Sequence, residues 1–196
     1  MKKFDINFIA AKVISAVFNP VLLYPIVFTL VAFSKKQDFG AYLFYMFVIY
    51  FPLAIYLLWF VYVKHKGNIQ LLVWNRNERN GIYLLGAYTS LFATIFFTPL
   101  AINFWIINSF LSFLIFGSFY LLNKYIDKAS LHAGIYSYLV IYLANFNLLF
   151  LFLLIFLPLI YWSRIILHKH TWLQLFLGSV VGMFIGILSW MMVFKN

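Results

Sequence analysis

Long apolar stretches recur along this chain, and only short polar segments separate them. A helix of roughly 20 residues, rising about 1.5 Å per residue, crosses a hydrocarbon layer of about 30 Å. An open strand is excluded from that layer, because lipid offers its backbone no hydrogen-bond partner. The pattern therefore predicts an all-α integral membrane protein, a polytopic bundle of about six to seven transmembrane helices. The stretches are residues 21–33, 41–63, 82–98, 100–122, 131–143, 148–162 and 172–194.

Composition excludes a water-soluble fold and several kinds of site. Of the 196 residues, 66% are hydrophobic and only 9% are charged, so a soluble core of this size cannot bury the apolar surface. The chain has no cysteine, which excludes disulfides, thiolate zinc sites and cysteine-ligated iron–sulfur clusters.

The charge balance is basic, with 14 Lys and Arg against four Asp and Glu and a net charge of +10. In a soluble protein this excess would suggest nucleic acid, but here the bases lie beside apolar stretches, where phospholipid headgroups and topology explain them. We therefore expect membrane lipids as partners and no nucleic acid. Lys2 and Lys3 begin the chain, yet no small-residue cleavage site follows, so no cleaved signal peptide is expected.

One transmembrane domain is expected over residues 1–196, because no linker or low-complexity tract interrupts the chain. Residues 1–20 carry Asp5 and Lys12 among apolar side chains, and we interpret them as an interfacial lead-in to the first span. A kink is expected near the prolines that follow Asn19. The core that would bear a site runs from about residue 64 to residue 194.

Three polar segments interrupt the apolar pattern, at residues 64–81, 123–130 and 163–174. Two apolar stretches separate each segment from the next, so all three are expected at the same membrane face. Charge beside lipid is costly, which makes such clusters candidate functional sites. The positive-inside rule would also enrich Lys and Arg on one side of the membrane. It does not explain the histidines, because they add little fixed charge near neutral pH. The sequence thus predicts one site assembled from three segments.

The residues of these segments resemble a family of membrane phosphatases. In the third segment, Ser163-Arg164 is followed after five residues by His170 and then, four residues later, by the polar Gln174. This pattern resembles the third signature of the type 2 phosphatidic acid phosphatase (PAP2) superfamily. The run from Lys128 to Gly134 looks like the second signature, in a Lys-x-Ser-x-His form. The run from Arg76 to Arg79 resembles a variant of the first, so the likeness extends from about residue 64 onward.

The resemblance implies a PAP2-like fold and metal-independent cleavage of a phosphorylated lipid or polyprenyl substrate. By resemblance, His170 would attack phosphorus and carry a phosphohistidine, while His132 would protonate the leaving oxygen and then activate water. Gln174 would orient His170, and cationic and hydroxyl groups would hold the phosphoryl oxygens. No cofactor and no metal are implied. The implied phosphate-binding residues are Arg76, Arg79, Lys128, Ser130, Ser163 and Arg164.

The chain departs from the family pattern at three positions. Gln174 stands where an Asp is usual, and a neutral amide stabilises a cationic ring less than a carboxylate does. Leu72 replaces the lysine of the first signature, and Asn80 replaces the proline that follows its arginine. These departures favour a second hypothesis, a PAP2-like protein that has lost catalysis and serves as a lipid-binding or structural subunit of a larger membrane complex.

Several simpler readings stand beside the functional one. Taken alone, Lys64, Arg76 and Arg79 would be interpreted as loop bases that snorkel to lipid phosphate. Ser130 alone would be interpreted as a helix N-cap. His168 and His170 form a His-x-His pair, but four carboxylates and no cysteine leave few further metal ligands, so no metal site is expected. Gly178, Gly182 and Gly186 are interpreted as small residues that let helices pack closely.

A third hypothesis is a b-type haem protein that uses His132 with His168 or His170 as axial ligands. It is disfavoured because haem histidines usually have apolar surroundings, whereas these share a face with Arg79, Lys128 and Arg164. A bacterial inner membrane is the expected location, since no organelle-type targeting sequence is read. The side on which the site faces stays open, because phosphate binding and the positive-inside rule both explain the bases.

Overall fold

The structure, a computed structural model, describes residues 6–65, 76–101 and 103–193. All regular secondary structure in these ranges is helical, which confirms the all-α prediction. The helices are α1 (Ile6–Val17), α2 (Pro20–Ser34), α3 (Phe39–His65), α4 (Arg76–Phe97), α5 (Asn103–Leu121), a π-helical turn (Leu122–Ile126), α6 (Leu131–Ala144), a 3₁₀ helix (Leu148–Phe156), α7 (Leu157–Ile166) and α8 (Trp172–Val193).

Within the described residues, six helical segments are long and apolar enough to cross a membrane. This number confirms a polytopic integral membrane protein. The exception among the predicted spans is α6, which has 14 residues and is shorter than the length that a hydrocarbon layer requires. The six segments are Ile6–Ser34, Phe39–Trp59, Arg79–Phe97, Asn103–Ile126, Leu148–Ile166 and Trp172–Met192.

The predicted break after the lead-in lies where two capping signals coincide. α1 ends at Val17 and α2 begins at Pro20, whose fixed φ suits a first helical position. The Asn19 side chain accepts a hydrogen bond from the Val21 backbone N–H at 2.9 Å, as an N-cap residue does. The expected kink is therefore a break in the helix, where α1 ends and α2 begins.

Three helix boundaries differ from the sequence-based expectation. Residues 76–81 were expected in a polar loop, but they form the first turns of α4. Residues 148–156 form a 3₁₀ helix before α7 begins, and residues 122–126 continue α5 as a π-helical turn. Local polarity is a weak guide to a helix boundary, because residues such as Asn, Glu and Arg are tolerated within a helix.

The described chain divides into two compact units. The first comprises α1, α2 as far as Phe33, α6, the 3₁₀ helix, α7 and α8. The second comprises α3, α4, α5 and the π-helical turn. The expectation of a single domain over residues 1–196 concerns the whole chain and stays a prediction.

The first unit is organised by a stripe of glycines on α8 that lies against the backbone of α6. A Cβ atom added at Gly178 would clash with the Ser130 carbonyl oxygen, and one added at Gly182 would clash with the Gly134 carbonyl oxygen. A Cβ at Gly186 would also meet atoms of α6. The successive contacts advance in the same direction along both helices, so α6 and α8 are parallel. The predicted packing role of these glycines is confirmed.

Hydrogen bonds fasten this helix pair near both ends. The Ser130 backbone N–H donates to the Gln174 carbonyl at 2.9 Å where the two helices begin. Toward the opposite ends, Asn145 Nδ2 donates to Ser189 Oγ at 2.7 Å, and both side chains are buried. The register of α8 on α6 is therefore held by polar contacts as well as by close packing.

The second unit is built on the antiparallel pair α4 and α5. The rings of Tyr83 and Phe119 lie 6.0 Å apart near the start of α4, and those of Phe97 and Trp105 lie 5.9 Å apart near its end. α3 joins this pair through a 3.2 Å contact between the Tyr45 hydroxyl and Ser112 Oγ. Aromatic packing thus dominates this unit, as the frequency of Phe and Tyr leads one to expect.

We predict that Gly182→Ala destabilises the first unit, because the added methyl must displace the α6 backbone. Overpacking of this kind typically costs about 1–3 kcal/mol. Gly117→Ala on α5 is the matched control, since its Cβ meets no atom within 4 Å. Thermal unfolding in detergent, followed by circular dichroism, should show a lower midpoint only for Gly182→Ala. Equal midpoints would contradict the tight packing of α8 on α6.

Candidate functional site

The ends of three helices meet at one end of the first unit. α6 and α8 are parallel, so their N-termini lie at the same level. α7 packs beside α8, with the Tyr161 hydroxyl 2.8 Å from Ser179 Oγ, and residues 167–171 return its C-terminus to the start of α8. Topology therefore brings the second and third polar segments to a common place.

His170 and Gln174 contact one another as their four-residue spacing predicts. His170 Nδ1 lies 3.2 Å from Gln174 Oε1. That oxygen also accepts the Thr171 backbone N–H at 3.3 Å, which identifies it as the acceptor atom of the amide. Nδ1 then carries the ring proton in this contact, so the lone pair of the neutral ring is on His170 Nε2.

Gln174 has a structural role that was missed in the sequence. Its backbone N–H donates to Thr171 Oγ1 at 3.4 Å while its side chain accepts the Thr171 backbone N–H. This reciprocal pair is a capping box at the start of α8, and Thr-x-x-Gln before an apolar run is its sequence signal. The position thus stabilises the helix start as well as contacting His170.

Arg164 and His132 are both bound by a residue of α1. Arg164 Nη1 donates to Ser15 Oγ at 2.7 Å. The His132 ring makes a hydrogen bond with the Ser15 backbone. Ser15 was missed by sequence reasoning, because it lies 149 residues from Arg164 and no motif or spacing connects them.

The environment of His132 favours its neutral form. Burial, the positive charge of Arg164 and the neighbouring His170 together lower its pKa to about 3. The residue lies in α6, outside the six candidate spans. A phosphate dianion held by Arg164 would reverse the local charge and raise the pKa of His132, so anion binding and protonation are coupled at this site.

Ser130 presents a buried hydroxyl at the start of α6. Its backbone is extended, as at an N-cap, but its side chain makes no capping hydrogen bond. Its Oγ has no hydrogen-bond partner among the residues that the structure describes. Buried polar atoms are rarely left without a partner, and the amides of a helix N-terminus attract anions. The role of this hydroxyl in phosphate binding stays a prediction.

The other two predicted residues of this unit have different surroundings. Ser163 is fully buried, and its hydroxyl donates to the Ile160 carbonyl of its own helix at 2.9 Å. This bond satisfies the hydroxyl within α7. Lys128 is half-buried two residues before Ser130, in the stretch that leads into α6. Their contacts with phosphate stay predictions.

His168 forms the turn between α7 and α8. Its φ of 52° is left-handed, a conformation that favours glycine. The His168 N–H donates to the Ile165 carbonyl at 2.9 Å, and the Lys169 N–H donates to the Arg164 carbonyl at 3.0 Å. These bonds form a Schellman motif that ends α7. The exposed His168 therefore shapes the turn that holds Arg164 and His170.

The predicted arginines of the first polar segment belong to the second unit. Arg79 is half-buried in the first turns of α4 and makes a side-chain hydrogen bond with Tyr83. Nearby, Asn123 Nδ2 donates to Asn80 Oδ1 at 2.7 Å. The side chain of Arg76 and the position of Leu72 lie outside the described residues. Their part in the predicted site stays a prediction.

No family model, curated protein or solved structure matches this chain. The resemblance to PAP2 phosphatases therefore depends on its own residues. Within the first unit, His132, Arg164 and His170 interact, and Gln174 contacts the last of them. Among the described residues, no group of three or more His, Cys, Asp or Glu is placed to hold a metal ion.

We predict that His168→Gly is tolerated and stabilises the fold, because glycine adopts the left-handed conformation without steric cost. The gain is expected to be about 1 kcal/mol. His168→Val should destabilise it by at least as much, since β-branched residues disfavour this conformation. Thermal unfolding of the two variants checks the prediction, and a stabilising Val would contradict the assigned turn geometry.

Proposed function

We propose that this chain is a membrane phosphatase that needs no metal ion and releases phosphate from a lipid or polyprenyl phosphate or diphosphate. The observation that carries the proposal is the contact of His170 Nδ1 with Gln174 beside His132 and Arg164 at one end of the first unit. A nucleophile with a fixed tautomer, a second histidine and a cation are the groups that metal-free phosphoryl transfer requires. The proposed location is a bacterial inner membrane.

In the first step, His170 Nε2 attacks phosphorus and the bond from phosphorus to the lipid oxygen breaks. The lipid alkoxide takes a proton from His132 and leaves as an alcohol, or as a monophosphate when the substrate is a diphosphate. Gln174 Oε1 holds the His170 Nδ1 proton throughout, so the ring keeps the orientation needed for attack. The product of this step is a phosphohistidine.

In the second step, water attacks the phosphohistidine and gives its proton to His132. The bond from phosphorus to His170 Nε2 breaks, inorganic phosphate leaves, and both rings return to their starting states. His132 thus acts first as an acid and then as a base. Burial disfavours the charged form of His132. The negative charge of the bound substrate would stabilise that form, so His132 can carry a proton when substrate is bound.

The phosphoryl oxygens are held by charge and by donors at helix ends. Arg164 supplies a guanidinium that can bind two oxygens at once. The Ser130 hydroxyl and the N-terminus of α6 add neutral donors from the opposite helix. Lys128 and Ser163 are the further phosphate ligands proposed from the first unit, and the roles of Arg76 and Arg79 stay predictions from the sequence.

A second candidate is a PAP2-like protein that binds lipid or supports a membrane complex without turnover. The capping box favours it, because Gln174 is then explained by the stability of α8 alone. The neutral amide in place of a carboxylate agrees with this view, since the cationic form of His170 is less stabilised.

We predict that the purified wild type releases phosphate from lipid phosphates in detergent with a chelator. His170→Ala removes the nucleophile and should lower the rate by at least about 10³-fold. His168→Gly is the matched control, since it removes a neighbouring exposed histidine and should leave the rate unchanged. Release of inorganic phosphate from a panel of lipid and polyprenyl substrates is the measurement.

Variants at Gln174 separate the two candidate functions. Gln174→Glu keeps the capping box and adds a carboxylate, while Gln174→Asp restores the usual family residue. Turnover by the wild type supports the phosphatase. A silent wild type with an active Gln174→Asp or Gln174→Glu would support the non-catalytic candidate, and release that the chelator abolishes would contradict the metal-free mechanism.

We also predict that phosphate raises the pKa of His132. In the free protein its pKa lies below the ordinary value of about 6.5, so the ring is neutral at pH 7. A bound dianion opposes the charge of Arg164 and shifts the pKa upward. Titration of ¹⁵N-labelled imidazole with and without inorganic phosphate measures both values. An unchanged pKa would contradict the coupling of anion binding to protonation.

A further inference from the structure

α1 packs against α7, and two small residues lie on one face of this helix. Ala11 is fully buried and Ser15 is half-buried, and four residues separate them, so they share one face of the helix. Val13 and Val17 are exposed on the remaining surface. The orientation of α1 is therefore set by packing, and Ser15 is directed toward the site.

The end of α1 releases the Ser15 carbonyl from the helix. In a continued helix the Asn19 N–H would bond that carbonyl, but here it donates to the Ala16 carbonyl at 3.2 Å. The Ser15 carbonyl is thus one of the acceptors that a helix C-terminus leaves without an intrahelical donor. The His132 ring makes its hydrogen bond there. The break before Pro20 creates the acceptor that His132 uses.

The Ser15 side chain supplies a second contact from the same residue. Its Oγ accepts the Arg164 Nη1–H at 2.7 Å in a partly buried setting. A hydrogen bond to a charged group is stronger than one between neutral groups, and the partial negative charge of a helix C-terminus favours a nearby cation. One residue of α1 therefore contacts both a proposed phosphate ligand and the proposed acid.

We infer that Ser15 is a positioning residue of the proposed phosphatase site, with its hydroxyl aiming the Arg164 guanidinium and its carbonyl orienting the His132 ring. The inference rests on the proposed function. It makes α1 part of the site rather than only an interfacial lead-in. The two contacts can be tested separately. Substitution of the Ser15 side chain removes the contact with Arg164 and leaves the backbone contact with His132 in place.

Loss of the hydroxyl should therefore weaken phosphate binding more than it slows turnover. Without Ser15 Oγ, the Arg164 guanidinium loses the acceptor that fixes one of its N–H groups. The expected result for Ser15→Ala is an increase of about 10-fold in KM and in the dissociation constant of inorganic phosphate. The kcat should change by less than about 3-fold, since His132 keeps its backbone acceptor. Ser15→Thr retains a hydroxyl and should restore both constants.

The experiment uses the full chain in detergent and measures phosphate release and binding separately. Binding of inorganic phosphate, followed by ³¹P NMR, is a readout that does not depend on turnover. Ser189→Ala is the matched control, because it also removes a serine hydroxyl that accepts a 2.7 Å hydrogen bond, far from the site along α8. Thermal midpoints of all variants show whether any loss comes from unfolding.

Each outcome decides the inference. A Ser15→Ala variant that is folded, binds phosphate about 10-fold more weakly and is rescued in Ser15→Thr supports it. A Ser15→Ala variant with the same KM and phosphate affinity as Ser189→Ala overturns it while the proposed function stands. A wild type that neither binds nor releases phosphate overturns the proposed function, and the inference falls with it.

Discussion

The close contact of α8 with the backbone of α6 is the constraint on which the candidate site depends. Side chains larger than hydrogen at Gly178 and Gly182 would collide with α6 carbonyl oxygens, so the two helices approach to a distance that only glycine permits. At that distance the Ser130 N–H reaches the Gln174 carbonyl. The N-termini of both helices are thereby held level, and His132 and His170 come to interact across them.

Helix ends supply much of the chemistry of this site. The starts of α6 and α8 lie at the same level, and their partial positive charge favours an anion at the proposed site. At the end of α1, the Ser15 hydroxyl accepts a hydrogen bond from Arg164, and the Ser15 backbone accepts one from the His132 ring. Cations are costly beside lipid. Here they are stabilised by oriented backbone groups and by the side chains that they contact.

Prediction from sequence succeeded where the relevant contact was local. Four-residue spacing on one helix foretold the contact of His170 with Gln174, and the same spacing identified the glycine stripe. Prediction from sequence failed where helix boundaries or hydrogen-bond partners depended on tertiary packing. The residues around Arg79 were expected in a loop but are helical, and the capping box at Thr171 was overlooked although its signal was present. Ser15 carried no signal at all.

The amino-acid sequence by itself determined the membrane class, the all-α architecture and the positions of the histidines and bases along the chain. These follow from hydropathy and from helical periodicity, which act over neighbouring residues. Only the tertiary structure decided that Ser15 meets Arg164 and His132, that Ser163 bonds its own helix and that the Ser130 hydroxyl is buried without a partner among the described residues. Such contacts depend on how helices that are distant in sequence pack against one another. Local periodicity does not predict that packing.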